Sequence, residues 1–290
     1  MSSPAPVVAL LTLAISTAMP QPAAAEKPLI DGLSHVPVAV ADLEAAGELY
    51  ARLGFALKPG RPHDNGIRNL HIKFRDGTEV ELITASQARD ELTGEYVDFL
   101  RGGDGPAFLA FHASSSAPLV RALRAAGMDA RAGRYGVSFA GDHPLDHLFF
   151  GGLNHSPTDR PEHFAHRNTA ESLIAVWLAS DRRARHDRLL SRLGARQRGT
   201  ARVPPLGLDA RRVPLPSGEV LLLPAQARRL AARPIVGLTL RVRELATARQ
   251  VLRAAGFDRP IVSMGEQGRS VFLPPEIGGF WLELREPRSR

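Results

Sequence analysis

The sequence predicts an α+β protein made from one unit used four times, and three observations carry that expectation. A helix end closed by glycine recurs as LYARLGF (49–55), LRAAGM (123–128), LSRLGA (190–195) and LRAAGF (252–257). A short apolar stretch precedes each of these helices. About three further stretches of strand character follow each one, so every copy reads strand, helix, then strands (βαβββ). Glycine suits the helix end because it takes the left-handed conformation there at no steric cost. A unit repeated in this way buries its apolar face against its neighbours and fixes the whole fold.

Unit one opens with the strand segment 33–43, in which Asp42 is placed to accept the first free helix amides. Leu43, Ala46, Leu49, Tyr50 and Leu53 then recur at helical spacing up to Gly54. Strands are expected near 55–58, 70–74 and 79–84, the last two joined through Asp76-Gly77, a strong tight-turn pair. Unit two opens at 107–116, with a helix over 118–126 and strands at 135–139 and 146–150. Unit three opens at 172–181, with Asp181 in the capping place, and closes with 218–224. Unit four runs from 235–245 to 279–286. Between units two and three lies the polar segment 154–168, rich in proline, histidine and arginine, which reads as a connection. The expected division is an N-terminal half over 31–153 and a C-terminal half over 169–286.

The 290 residues are 44% hydrophobic and 23% charged, an ordinary globular balance. The formal net charge is +7, nearly all from arginine, since Lys27, Lys58 and Lys73 are the only lysines. The arginines are scattered and have few aromatics among them, which argues against a nucleic-acid surface. The absence of cysteine excludes disulfides, thiolate metal sites and cysteine nucleophiles. Residues 7–19 form an apolar stretch too short for the ~20 residues a membrane span needs. With Pro20 and Ala23-Ala24-Ala25 after it, it has the outline of a cleaved signal peptide, although no basic residue precedes it. Residues 1–30 are therefore read as signal and tail, and the protein as periplasmic or secreted. No segment of the mature chain is apolar enough to span a membrane. No phosphate-binding glycine loop and no G-x-S-x-G elbow occurs, so no nucleotide cofactor is expected.

The segment LSHVPVAVADLEAAGELYARLGF, the strand pair around DGTEVELIT and the connecting RPEHFAHRNTAES together resemble the vicinal oxygen chelate superfamily, and more narrowly its glyoxalase-like proteins. The resemblance covers nearly all of 31–286. It implies that the units pair, one with two and three with four, into two partly open barrels, each around a U-shaped cleft. It also implies a divalent metal held on first and last strands. The matching positions in unit one are His35 and Glu81, with Glu81 also the catalytic group. Imidazole and carboxylate suit Zn, Mn, Fe or Ni, and open metal positions take substrate oxygens. The other units depart from the pattern: Phe108, Ile174 and Gly237 stand where His35 does. Leu221 and Glu283 stand where Glu81 does, and unit two offers only 150–152.

Three further residues are candidates for lining the cleft. His112 lies four residues beyond Phe108, on the same strand face but roughly 13 Å along it. Glu79 shares a face with Glu81, and is either a general base or a solvent-facing strand end, the latter being the expectation. His71, with Asn69 and Lys73, forms a row that faces either the cleft or solvent. His143, His147, His155, His163 and His166 form a second group, read chiefly as structural and alternatively as a surface metal site. Two functions follow. One is a metal-dependent lyase, isomerase or dioxygenase acting on a small oxygenated substrate. The other is a non-catalytic protein that sequesters a drug-like or aromatic molecule, as resistance proteins of the superfamily do. Three convergent His/Glu side chains would favour the first; an apolar cleft with an unliganded His35 would favour the second. A third reading makes the C-terminal half only structural, a cover for the first half or the contact of a homodimer.

Overall fold

A computed structural model describes residues 27–133, 136–139, 143–195, 199–228, 233–258, 260–265 and 267–288. The expected signal segment, Tyr135 and part of the GEQG turn lie outside the described residues. The architecture is mixed α+β with three sheets, consistent with the vicinal oxygen chelate fold.

The first part of the chain supplies β1 (His35–Ala39), α1 (Leu43–Arg52), β2 (Arg68–Lys73), β3 (Glu79–Thr84) and α2 (Glu91–Leu100). After them come β4 (Leu109–His112), α3 (Ser116–Ala125), β5 (Ala130–Gly133), β6 (Gly136–Phe139) and β7 (Leu148–Gly151). One five-stranded sheet has the order Lys58–Pro59, β2, β3, β1, Gly105–Pro106. The other has the order Gly32–Leu33, β4, β7, β6, β5. β1 runs parallel to β3, and β4 parallel to β7. The two sheets abut along 32–39 and 105–112, where an antiparallel ladder breaks at Ser34. Leu33 and Val36 both enter the main core, so strict alternation fails between them.

The second part builds one eight-stranded sheet. Its strands are β8 (Ala170–Ala179), β9 (Gly199–Val203), β10 (Leu208–Pro214), β11 (Glu219–Leu223), β12 (Ile235–Val242), β13 (Ile261–Gly265), β14 (Gly268–Leu273) and β15 (Trp281–Pro287). Their order is β9-β10-β11-β8-β12-β15-β14-β13. The helices α4 (Arg183–Arg192) and α5 (Leu245–Ala254) pack leucines inward. One continuous core runs through both parts, from Ile30 and Val36 to Leu240 and Leu284.

Several local expectations hold in detail. Asp42 Oδ1 accepts from Ala45 N at 2.9 Å, satisfying an otherwise orphaned amide of α1. Gly54 closes α1 with φ +94°, and a side chain there would strike Asn168 and Val251. Others are corrected. Asp181 does not cap α4: Arg182 holds the capping place with no side-chain bond, and Ser180 Oγ accepts the Arg182 amide instead. The strand expected at 146–150 starts only at Leu148, because Pro144 and the loop bonds from Asp146 and Leu148 to His143 and Leu145 curl 143–147 into a turn. The helix α2 was not expected at all; Asp90 and Thr93 cap it reciprocally.

At its C-terminal end the connecting segment is tied by neutral hydrogen bonds. His166 Nδ1 accepts from Ala56 N at 3.0 Å, and Nε2 faces the Lys73 carbonyl at 2.9 Å. These two bonds require the Nε2–H tautomer, and burial holds this histidine's pKa down. Across the two parts of the chain His147 and His186 meet, 3% and 2% exposed, with Nε2 atoms 3.1 Å apart. Burial, followed by the charge of its partner, pushes His186 down to about 3, and burial likewise lowers His147. Unfolded histidine takes a proton near pH 6.5, whereas these folded ones take it only at lower pH. Their contribution is thus present above pH 6.5 and lost as pH falls toward 3. Urea midpoints measured across that range should decline with acid. His186→Gln, which keeps a polar partner but does not titrate, should flatten the slope by up to about 1.4 kcal/mol per pH unit. An unchanged slope would show that the pair is not buried neutral.

Candidate functional site

A cavity of about 530 Å³ opens between the two sheets of the first part, with α2 along one side. That is within the range of small-molecule sites. His35 and Pro37 reach it from β1, Glu81 and Ile83 from β3, Tyr96 from α2, and Phe108, Phe139 and Phe149 from the facing sheet. Alternation explains the set. β1 and β3 pair His35 with Glu79 and Pro37 with Glu81, which puts all four on one face. Val36, Val38, Val80 and Leu82 alternate with them and turn into the main core.

His35 and Glu81, the two expected ligands, therefore share this cavity. Ser34 Oγ lies 3.1 Å from His35 Nδ1, and the His35 ring stands edge-on to Phe149 at 5.2 Å. Glu81 accepts a hydrogen bond from Asn69 Nδ2. Among the described residues, no group of three or more His, Asp or Glu side chains is placed to hold a metal ion. The facing sheet explains this. Phe108 takes the place corresponding to His35. The β4–β7 register then puts Phe149, one residue before the expected 150–152, at the place corresponding to Glu81. Catalytic zinc usually has three protein ligands. At the expected ligand places the donors are one imidazole and one amide-bonded carboxylate opposite two phenyl rings, and the other carboxylates and His63 of the lining do not converge with them, so the site does not fit a resident divalent ion.

The remaining candidates divide. His71 and Glu79 are on the cleft face of the sheet, since β2 pairs His71 with Glu81 and Lys73 with Glu79. They lie beside the cavity rather than in its lining. Glu79 does not face solvent: it is 1% exposed, with both oxygens 2.9 Å from Asn154 Nδ2 and Oε1 3.1 Å from His71 Nδ1. Burial alone would raise the Glu79 pKa; the bonds from His71 and Asn154 and the charges of His71 and His35 outweigh it and bring it down. Burial would lower His71, but the Glu79 carboxylate on its Nδ1 raises it. Lys73, 2% exposed, is 2.9 Å from Asp159 Oδ2 and 3.9 Å from Glu79 Oε2, and also donates to the Asn154 carbonyl. Lys58 reaches the other Asp159 oxygen. Asn154 and Asp159 belong to the connecting segment, so this cluster binds that segment to the first sheet.

His112 stands away from the cavity. It lies opposite Gly32 and Gly151, with Asp31 Oδ2 3.9 Å from its Nδ1. The displacement along the strand is the reason. The second histidine group is dispersed as well. His143 stacks on Phe139 at 4.5 Å, His163 Nδ1 accepts the Arg160 amide, and His147 and His166 are engaged as described above. The signal for α2, which brings Tyr96 to the cavity, was available in the sequence as the Asp90-x-x-Thr93 cap.

Among the described residues of the second part, an indole occupies the corresponding place. Trp177 lies against Gly237, where a side chain would collide with the indole ring. Its Nε1 donates to Thr239 Oγ1, which donates to Glu283. Arg285 grips both Glu283 oxygens at 2.9 and 2.8 Å, so this glutamate is fully used. Phe272, Leu221 and Leu223 fill the rest.

A family model described as a glyoxalase-like domain matches residues 33–194. No curated protein matches the chain. Similar solved structures include a xylose isomerase-like TIM barrel/4-hydroxyphenylpyruvate dioxygenase fusion protein, at 13% identity and TM-score 0.65. That match covers 92% of this chain and 50% of the fusion protein, so the chain spans half its length. A triple mutant of 4-hydroxymandelate synthase from Streptomyces coelicolor matches at 16% identity and TM-score 0.65, over 90% of this chain and 94% of that one. A catechol 2,3-dioxygenase matches at 12% identity and TM-score 0.55, over 90% and 95%. At these identities the likeness is one of fold.

The buried cluster gives a direct test of its own role. Lys73→Met should cost about 3–5 kcal/mol in urea unfolding, because Glu79 and Asp159 lose a buried counter-charge. Adding Glu79→Gln should cost less than the sum of the two single changes; strict additivity would show that Lys73 and Glu79 are not coupled.

Proposed function

The chain belongs to the glyoxalase-like domain family of the vicinal oxygen chelate superfamily, and we propose that it binds a small aromatic or drug-like molecule in the cleft of its first half without a resident metal. The observation that carries this reading is the facing wall of the cavity. Phe108 and Phe149 stand where a chelate would need donors, and His35 packs edge-on against one of them. Four aromatic rings around about 530 Å³ give a flat apolar ligand both burial and ring contacts.

The strand orders support reading the chain as four βαβββ units, one paired with two and three with four, each pair a partly open barrel. The corresponding division is 31–153, a connection over 154–168, and 169–286. On this reading the second barrel, closed by Trp177, is a structural cover. Its contacts with the first half include Leu33 N to Ser217 O, and Leu29, just before that half, donates to Leu193 O. The protein is further read as exported after cleavage near Ala25, which N-terminal sequencing of the secreted product would check.

The dioxygenases among the fold relatives keep a metal enzyme as the competing reading. Metal content decides between the two. The mature protein, purified without a histidine tag and offered Zn, Mn, Fe or Ni, should carry well under one ion per chain after gel filtration. His35→Ala and Glu81→Ala should not change that value. A stoichiometric ion lost in both variants would overturn the binding reading. In parallel, Phe149→Ala should weaken an aromatic probe by about tenfold, the order of one aromatic contact.

A further inference from the structure

We infer that the ligand of this cleft is a small organic cation, an amine, guanidine or quaternary ammonium carried on an aromatic body. This rests on the binding reading above and adds the ligand's charge to it.

The first observation is the sign of the cavity. Five carboxylates line it: Glu81, Asp90, Glu91, Glu95 and Asp146. Among the described residues one guanidinium does, Arg131, and it lies 2.9 Å from Asp129. The chain as a whole has a formal charge of +7. The cleft is thus a local inversion of the protein's own charge. Low-dielectric walls strengthen such a field, which draws cations in and turns anions away.

The second observation is a cation already seated on the same wall. Arg233, from the second part of the chain, places its guanidinium carbon 4.7 Å from the centre of the Phe108 ring. Its Nη2 is 3.3 Å from Glu95 Oε2 and its Nη1 3.0 Å from Asp146 Oδ1. Phe108, Glu95 and Asp146 all line the cavity, whereas Arg233 does not. One aromatic face with two carboxylates therefore holds a buried cation from behind the wall. The cavity side offers the same chemistry: Tyr96 and Phe149 stand edge-on to Phe108 at 5.3 and 6.4 Å, with Glu81 and Glu91 nearby. A cation over such rings gains about 0.5–2 kcal/mol, more as it loses water.

The third observation is that the seated arginine leaves negative charge uncompensated. Burial raises the Glu95 pKa, and Asp146 and Glu91 push it the same way, while only Arg233 opposes them. Glu91 has no ion-pair partner among the described residues. A cation entering the cavity relieves this repulsion. A neutral ligand does not, and an anion worsens it.

The full chain would be titrated calorimetrically with three probes that share a naphthalene ring: naphthylmethyl-trimethylammonium, naphthalenemethanol and naphthalenesulfonate. The ammonium should bind about tenfold tighter than the alcohol, and the sulfonate more weakly than either. The ammonium's advantage should shrink in high salt and in Glu91→Gln and Glu95→Gln, with the alcohol's affinity unchanged. Equal affinity for all three, each weakened by Phe149→Ala, would overturn the cation assignment and leave the aromatic cleft standing. Binding of none, or binding indifferent to Phe149→Ala, would overturn the cleft reading itself. The glutamine variants remove charge without changing shape, and their melting temperatures would separate a lost fold from a lost contact.

Discussion

The constraint on which the cleft depends is the set of buried charges at the end of β2 and β3. One sheet face presents Asn69, His71, Lys73, Glu79 and Glu81 toward the interior. A charge taken out of water is costly unless it is paired and hydrogen-bonded. Here Lys73 and Lys58 converge on Asp159, while Asn154 and His71 satisfy Glu79. Asn154 and Asp159 come from the segment that links the two parts of the chain. The polar end of the sheet can therefore be buried only when that segment lies in place. The same pairing leaves Glu81, further along the face, and His35, level with Glu79 on β1, open to the cavity.

The two parts of the chain show what one backbone plan does with different side chains. In the first part the space between sheets stays open, because its walls meet through ring edges and carboxylates that do not fill it. In the second part an indole fills the corresponding space. Gly237 makes room for Trp177, and Thr239 and Glu283 take its N–H into a closed chain of hydrogen bonds. A buried Trp needs such a partner for its N–H. From the closed part Arg233, just before β12, reaches the wall of the open part.

Much of this was legible in the chain. The glycine-closed helices, the Asp42 cap, the turn at Asp76-Gly77 and the strand at Glu79–Thr84 all follow from local rules that tertiary context rarely overrides. The pair His35 and Glu81 came from the resemblance to the superfamily, which implies ligands on first and last strands, and the strand register then puts both on the cleft face. What failed was non-local. Glu79 was expected at the surface because nothing local announces that Asn154 will cover it. Asp181 was expected to cap α4, yet the chain turns one residue later. The ligand place in unit two was misjudged by one residue because parallel register is set across the sheet, not along the strand. The helix α2 was missed although its cap was written in the sequence, and with it went Glu91, Glu95 and Tyr96, which decide the character of the cavity.

A chelate site in this fold needs donors that converge from both sheets of a pair. Here the first sheet offers an imidazole and a carboxylate, and the second answers with Phe108 and Phe149. Replacing donors by rings changes what the same geometry can hold. A divalent ion needs at least three lone pairs directed at one point. A ring offers a negative face spread over its whole area, which holds a diffuse cation but orders no coordination sphere. The carboxylate that remains, Glu81, lines the same cavity without co-ligands and adds to that face's attraction for a cation. The same wall shows this directly, since Phe108 already carries the Arg233 guanidinium between Glu95 and Asp146. The cleft has thus lost the geometry of coordination and kept the electrostatics that favour positive charge.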